Sequence, residues 1–506
     1  MCRANYNITE SFMAGIPNGK WRCRKCQCEA EPAKQDKAIN CELAQPPRFN
    51  IERKNTMNPD FSLRDYQAKH CGYHIARRAS LNYSACATGK TYTMAWLAEF
   101  YWKNEGCKTV LINPISLSKK NKDEFLRFTD FYETEIQIIS GTPKQRKEQF
   151  ANQDAKVFII GPDCFGKEWE NLPRDVRSIF VDESHLAYSG HKSSRTQSFY
   201  KAQKNADHVT FFTATPIASG RLDAAYPLFA VCDPLVYGNY KRFINYHAVY
   251  NSLGYLVGWR HADVLGKNLK RFSVGISFEK AYPDASKNII SFETCDFEDS
   301  ELQRLYSEME EQGLAELEDK YIESPNSAVT LMRCRQLLAC PEALGYSPKI
   351  RSKDELLKSH LQHILDGSER QILVFSAFVK EQERVVEICR EMGLSSALIN
   401  GSVVGAARAR ISEDFSKGRT QVLVASPLTM SVGHNFEAVS SIVFLTSDFG
   451  IDSFHQACFR GNRGSRKEAL PIYILVYNCK VEKRFWKKVL GQKEEYKKIV
   501  ESKLFD

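Results

Sequence analysis

The stretch SIFVDESHL, Ser178 to Leu186, decides the architecture. It opens as an apolar run of strand length with no polar alternation, and it closes on two carboxylates, Asp182 and Glu183. A strand without alternation is covered on both faces, which is the condition of a parallel sheet flanked by helices. In open sheets of that kind ligands collect at the C-terminal strand ends, where this pair stands. Runs of the same character surround it: TVLIN at Thr109 to Asn113, KVFII at Lys156 to Ile160 and HVTFFT at His208 to Thr213, with helical patterns between them. A second set comes much later, as QILVF from Gln371, QVLVA from Gln421, SIVFL from Ser441 and PIYILVY from Pro471. The chain is therefore expected to be α/β, with two parallel-sheet lobes.

Length allows roughly three domains at about 150 residues each. The lobes are assigned to 56–235 and 351–506. Between them, 236–350 combines charge with helical periodicity, as in ELQRLYSEMEEQGLAELEDKY and SAVTLMRCRQLLACP, and is expected to be a helical insertion and linker. Residues 1–55 carry prolines and clustered cysteines without a strand or helix pattern, and form an appendage.

Composition excludes several classes. With 43% hydrophobic and 26% charged residues the chain is neither disordered nor fibrous. No apolar run reaches the roughly 18 residues that cross a bilayer, and the opening MCRANYNITE has neither the basic nor the apolar region of a secretory signal. A cytoplasmic location is expected, in a bacterium or in the host of a virus. Lys and Arg outnumber Asp and Glu by 70 to 61, a net charge of +9 that favours a polyanionic partner without establishing one. Most of the sixteen cysteines stand singly in apolar stretches, as Cys86, Cys232, Cys389 and Cys458 do, which fits reduced thiols.

A polyphosphate is best held by backbone N–H groups converging at a helix N-terminus plus one mobile cation. SACATGKT, Ser84 to Thr91, ends in that way. Gly89 permits close backbone approach, Lys90 would reach the outer phosphates, and the Thr91 hydroxyl would ligate magnesium. Met94, Leu97, Ala98 and Tyr101 then mark one face of the helix the motif requires. Ser84 stands where the motif usually opens with glycine, which its β-carbon allows if its φ is negative. Hydrolysis also needs a carboxylate for the metal and a base for water, roles assigned to Asp182 and Glu183. Either segment alone would also suit a polar helix start or a solvated turn; their combination favours an ATP site.

A third strand end, TATP at Thr213 to Pro216, makes the order specific. Gly-Lys-Thr, Asp-Glu-Ser-His and Thr-Ala-Thr-Pro in this sequence resemble the first RecA-like lobe of a superfamily-two helicase. The resemblance implies a coupling role for His185, Thr213 and Thr215, and base recognition by Gln67 within LRDYQ. INPISLSKKNKDEFLRF, TPIASGRLDAAYPLFAVCDP and LMRCRQLLACPEAL are similar to segments of the Swi/Snf-type branch, with Pro114 and Ser116 near a DNA backbone. Ala214 and Thr446 depart from that branch, which has Gly and commonly an acidic residue there.

Charge developing on a transferred phosphoryl group is stabilised by arginine from a mobile element. QACFRGNRGSR offers Arg460 and Arg463, three apart on one helix side, and these with Gln456 match the family's last motif. PLTMSVGHNFEAVSSIVFL resembles the motif before it through Gly433 and Asn435. Ser376, Ser402 and Ser426 end apolar strands, where they suit either phosphate hydrogen bonds or simple turns. In WRCRKCQC, Cys23, Cys26 and Cys28 with Cys41 form either a zinc site or a set of reduced thiols.

The expected function is ATP- and magnesium-driven translocation on nucleic acid, with double-stranded DNA the expected track and no membrane partner. Two alternatives stay open: a helicase separating strands of branched DNA or RNA, and a nucleotide-gated scaffold with negligible turnover.

Overall fold

The computed structural model describes residues 62–496, apart from 189, 218–220, 287, 318–319, 324–326, 366–370, 404, 431–435, 437, 449–450 and 462–465, together with 13–15, 21–23 and 29–30. The chain divides into two compact units, 1–52 and 53–506. In the first, β1 (Met13–Gly15), β2 (Trp21–Cys23) and β3 (Glu29–Ala30) form a small antiparallel sheet. Cys26, Cys28 and Cys41 lie outside the described residues, as does the side chain of Cys23.

The second unit contains two RecA-like parallel sheets. The strands of the first are β4 (Ala79–Asn82), β5 (Lys108–Ile112), β6 (Ile136–Ile139), β7 (Val157–Ile160), β8 (Val176–Asp182) and β9 (His208–Phe212). After an antiparallel hairpin of β10 (Ala248–Tyr250) and β11 (Leu256–Trp259), β12 (Ser273–Val274) joins them, in the order β12-β4-β9-β8-β5-β7-β6. The second sheet begins with β13 (Asn288–Cys295). A hairpin of β14 (Leu314–Leu317) and β15 (Lys320–Glu323) follows, then β16 (Gln371–Phe375), β17 (Ser396–Ile399), β18 (Val422–Ala425), β19 (Val439–Phe444) and β20 (Leu470–Tyr477). Its order is β13-β20-β19-β16-β18-β17.

Both sheets are covered on both faces, as the absence of polar alternation requires. In β8, Ile179 and Val181 enter one core with Val110, Ile112, Phe158 and Phe211, while Phe180 enters the opposite core with Leu111, Ile159 and Phe212. The helix Lys90–Glu105 closes the second face with Met94, Leu97, Ala98 and Tyr101. The other lobe repeats this, with Phe375 and Phe444 on one face and Val374 and Val443 on the other. Each fully buried apolar side chain of this size contributes about 1.5–3 kcal/mol, so the sheets are rigid supports for what their C-terminal ends carry.

Residues 236–350 are shared between the lobes. Phe243, Leu265, Leu269 and Phe272 fill the first lobe's core, and β12 extends its sheet beside β4. β13 pairs with β20 over its whole length, and the helices Ser300–Gln312 and Ser327–Ala339 pack on Tyr477, Cys479 and Val481. The stretch holds six strands beside its helices, and two of them, β12 and β13, extend one lobe's sheet each. Among the described residues no helix is long and apolar enough to cross a membrane.

Candidate nucleotide-binding and coupling site

The loop from Ser84 to Gly89 leaves the end of β4 and enters the helix Lys90–Glu105. Gly89 caps that helix with a left-handed φ of 83°, and a β-carbon there would stand 2.6 Å from Gln67 Nε2. Glycine is thus required twice, by conformation and by space. Gln67 is fixed at both ends of its amide: Oε1 accepts from the Arg64 N–H at 3.0 Å, and Nε2 donates to the Gly89 carbonyl at 3.2 Å. Tyr66 donates its hydroxyl to the Thr88 carbonyl at 2.8 Å. The Lys90 ammonium donates to the carbonyls of Ser84 (2.9 Å) and Ala85 (3.1 Å), which curls the loop around it. Thr91 follows in the first helical turn.

Ser84 does not take a positive φ, so its β-carbon costs no backbone strain. It is buried above a polar chain that the sequence did not announce. Its N–H donates to Asn82 Oδ1 at 3.1 Å, and its hydroxyl lies 3.5 Å from His70 Nδ1. Below them His74 bridges Ser80 and Asn82 at 2.8 and 3.3 Å. Burial lowers the His70 pKa to about 4, so the ring under the loop is neutral at neutral pH.

β8 delivers Asp182 to its C-terminal end, and Glu183 turns away in a left-handed conformation, φ 47°. Asp182 accepts from its neighbour's N–H at 3.0 Å and from Asn121 Nδ2 at 3.3 Å. Asn121, on the helix Ser118–Phe128, is a site residue that its sequence context did not single out. Burial and the charge of Glu183 raise the Asp182 pKa; burial also raises that of Glu183, against the opposing pull of Lys90, Arg460 and Lys120. Two adjoining carboxylates, Asp182 buried and Glu183 half-buried with an Oε2 that has no hydrogen-bond partner among the described residues, suit a divalent cation between protein and phosphate.

The same carboxylate begins a relay. Glu183 Oε2 lies 3.6 Å from His185 Nδ1, which is 2.8 Å from the Thr213 hydroxyl. The Thr215 N–H donates to that hydroxyl at 3.0 Å. His185, Thr213 and Thr215 thus form one connected group running from the carboxylates to the end of β9.

From the other lobe, the helix Ile451–Cys458 and the turn after it bring Gln456 and Arg460. Arg460 is close enough for its charge to act on Glu183. Gln456 is buried, and its Nε2 has no hydrogen-bond partner among the described residues. Arg463 and Gly433 lie outside the described residues.

Two family models match the chain: "Type III restriction enzyme, res subunit" over residues 60–218 and "Helicase conserved C-terminal domain" over 352–465. The first holds the loop Ser84–Thr91 and the carboxylates, the second Gln456 and Arg460, and together they span more than half of the 506 residues. The chain is a superfamily-two helicase. Members of this superfamily are ATP-hydrolysing enzymes that act on nucleic acid.

The helicase is 29% identical over 134 residues to the ATP-dependent RNA helicase dbp3 of Sclerotinia sclerotiorum; the match covers 26% of this chain and 22% of that protein, so the chain spans about a fifth of the relative's length. Among solved structures it is similar to the Hef helicase domain of Pyrococcus furiosus, at 16% identity and a TM-score of 0.49, covering 84% of this chain and 98% of that one. It is also similar to the SWI2/SNF2 ATPase core of Sulfolobus solfataricus in complex with dsDNA, at 16% identity and a TM-score of 0.39, covering 87% and 93%.

The serines expected to face nucleic acid separate in this helicase. Ser116 and Ser402 are exposed, Pro114 is half-buried, and Ser426 accepts from the Thr429 N–H at 3.0 Å as a helix start. Ser376 corrects the expectation. It is fully buried, and its hydroxyl donates to Glu381 Oε2 at 2.6 Å. The reason is the carboxylate itself: Glu381, buried in the following helix, needs donors, and Ser376 and Thr446 supply them.

Proposed function

We propose that the chain is an ATP-driven motor that translocates along double-stranded DNA, gripping phosphates rather than reading bases. The observation that carries this reading is the position of Glu183, whose carboxylate feels Lys90 from one lobe and Arg460 from the other. A base within reach of charges from both lobes would make hydrolysis depend on their approach, and that dependence would turn chemistry into movement. Lys90 and the loop N–H groups hold the phosphates, Thr91 and Asp182 hold magnesium, and Glu183 orients the attacking water. Arg460, with Arg463, stabilises the charge that develops on the transferred group. The magnesium held there would offset the negative charge of the phosphates. Gln67 reads the base edge, and the His185–Thr213–Thr215 relay carries the state of the carboxylates toward the nucleic-acid side.

Double-stranded DNA is favoured by the resemblance of INPISLSKKNKDEFLRF and LMRCRQLLACPEAL to Swi/Snf-type segments and by the net charge of +9. Pro114, Ser116, Ser402 and Ser426 are the proposed backbone contacts. The test is ATP turnover without nucleic acid and with duplex DNA, single-stranded DNA or RNA, for the natural chain, Lys90→Ala and Glu183→Gln. Duplex-stimulated turnover abolished by both substitutions is expected, with binding that weakens steeply as salt rises. Stimulation by RNA or single strands alone would replace the track, and background turnover with every nucleic acid would leave a nucleotide-gated scaffold.

A further inference from the structure

The two halves of the site are joined by a strap of chain that neither family model covers, residues 272–286. At its start the strap is part of the phosphate loop's own scaffold. The N–H groups of Leu81, Tyr83 and Ala85 donate to the carbonyls of Phe272 (2.9 Å), Val274 (3.0 Å) and Ile276 (2.9 Å), so the parallel ladder runs past β4 into the loop. Gly275 lies so close that a β-carbon would stand 2.6 Å from the Tyr83 ring. At its end the strap is tied behind the arginine segment: the Ser286 N–H donates to the Arg466 carbonyl at 3.2 Å, and its hydroxyl to the Glu468 carbonyl.

Between these anchors stands a line of aromatic rings. Phe459, next to Arg460, packs on Phe278 with centroids 5.3 Å apart, and Phe278 packs on Tyr282 at 5.2 Å. Tyr282 donates its hydroxyl to the Ala87 carbonyl at 3.0 Å. Ala87 has a φ of 63°, the left-handed conformation that an alanine avoids unless its surroundings impose it. The guanidinium of Arg64, which caps the helix bearing Gln67, covers the Tyr282 ring at 4.6 Å.

We propose that Tyr282 is a positioning residue: through Phe278 it senses where the arginine-bearing turn stands, and through its hydroxyl it holds Ala87 in the strained conformation that shapes the phosphate loop. Phe459 and Tyr282 are half-buried and Phe278 between them is buried, so a displacement of Phe459 bears on Tyr282 through the two ring contacts. The strap thereby adds a second link between lobe position and ATP, separate from the arginine itself. The inference rests on the ATPase reading given above.

The test uses the full chain with Tyr282→Phe, which keeps the ring and removes the hydroxyl, Ala87→Gly, which accepts a left-handed φ without strain, and the pair together. ATP turnover is measured with and without duplex DNA, beside the natural chain and Lys90→Ala. Tyr282→Phe is expected to lower the DNA-stimulated kcat about fivefold to tenfold with a smaller change in KM, and Ala87→Gly added to it to restore most of that loss. A rescue of this kind distinguishes positioning from a general loss of packing, which glycine would worsen. Turnover by Tyr282→Phe equal to the natural chain, or a double variant worse than the single, overturns the strap. No turnover by the natural chain overturns the ATPase reading itself, and the strap's role in it.

Discussion

His185 Nδ1 and the Thr213 hydroxyl lie 2.8 Å apart, joining the end of β8 to the end of β9, and the same nitrogen is 3.6 Å from the Glu183 carboxylate. The hydroxyl is the pivot, because it also accepts from the Thr215 N–H at 3.0 Å. Thr213→Val keeps the shape and removes the hydroxyl, so the buried imidazole loses one hydrogen bond, which costs about 0.5–1.5 kcal/mol. If the relay couples the carboxylates to nucleic acid, the variant should hydrolyse ATP at nearly the unstimulated rate while losing most of its stimulation. Parallel loss of both rates would make the pair a structural bond only.

The carboxylate pair makes a prediction about stability whose sign can be worked out. Burial and Glu183 raise the Asp182 pKa above its ordinary 3.8. A raised carboxylate pKa means that the folded state binds the proton more tightly than the unfolded one. The fold therefore loses stability as pH climbs from the ordinary value through the raised one. Asp182→Asn should melt higher than the natural chain at pH 8, by the equivalent of about 1 kcal/mol or more, and match it near pH 4, while losing ATP turnover. Magnesium should raise the melting temperature of the natural chain and not of the variant. A variant that melts lower at pH 8 would contradict the assigned repulsion.

Gly89→Ala brings two penalties together. The left-handed φ of 83° disfavours any side chain, by about 1–2 kcal/mol, and the new methyl would meet Gln67 Nε2 at 2.6 Å. Gln67 must then release the Gly89 carbonyl, so nucleotide affinity should fall at least tenfold while the melting temperature drops modestly. A fluorescent nucleotide titration reads the first and calorimetry the second. Unchanged affinity would remove Gln67 from base recognition.

How much of this was legible in the sequence follows from where the information sits. The unalternated strands and the Gly-Lys-Thr and Asp-Glu-Ser-His segments are local patterns, and they located both sheets and the loop that enters the helix Lys90–Glu105. The two-residue β12 carries no pattern at all; it is a strand because Leu81 and Asn82 lie beside it. β13 alternates as a half-exposed edge strand does, unlike the central strands, and so fell among the helices. Ser376 reads as a polar strand end, suited to a phosphate contact or a simple turn, yet it points inward with Thr446 because a carboxylate five residues beyond Ser376 is buried with them. Asn121 and Tyr282 reach the site only through the fold, which their local sequence does not reveal.

Thr446 explains its own departure from the Swi/Snf-type pattern and leads to the last prediction. Its hydroxyl donates to Glu381 Oε2 at 2.6 Å and accepts from the Ala377 N–H at 2.9 Å. Glu381 already has Glu482 across Lys353, whose ammonium is 3.1 Å from Glu482 and 3.9 Å from Glu381 and donates to the Leu445 carbonyl at 2.8 Å. Burial alone would lower the Lys353 pKa, but the two carboxylates outweigh it and hold it above its ordinary value. An acidic residue at 446 would replace a hydroxyl donor to Glu381 by a third carboxylate, so threonine suits this cluster. Removing the ammonium takes from two buried carboxylates the cation that bridges them, a loss of about 3–5 kcal/mol. Lys353→Met should therefore destabilise the second lobe by that order in a urea titration, Thr446→Asp should do so as well, and Thr446→Asp with Glu381→Gln should recover part of the loss. Additive losses in that double variant would show that the two side chains do not share a charge balance.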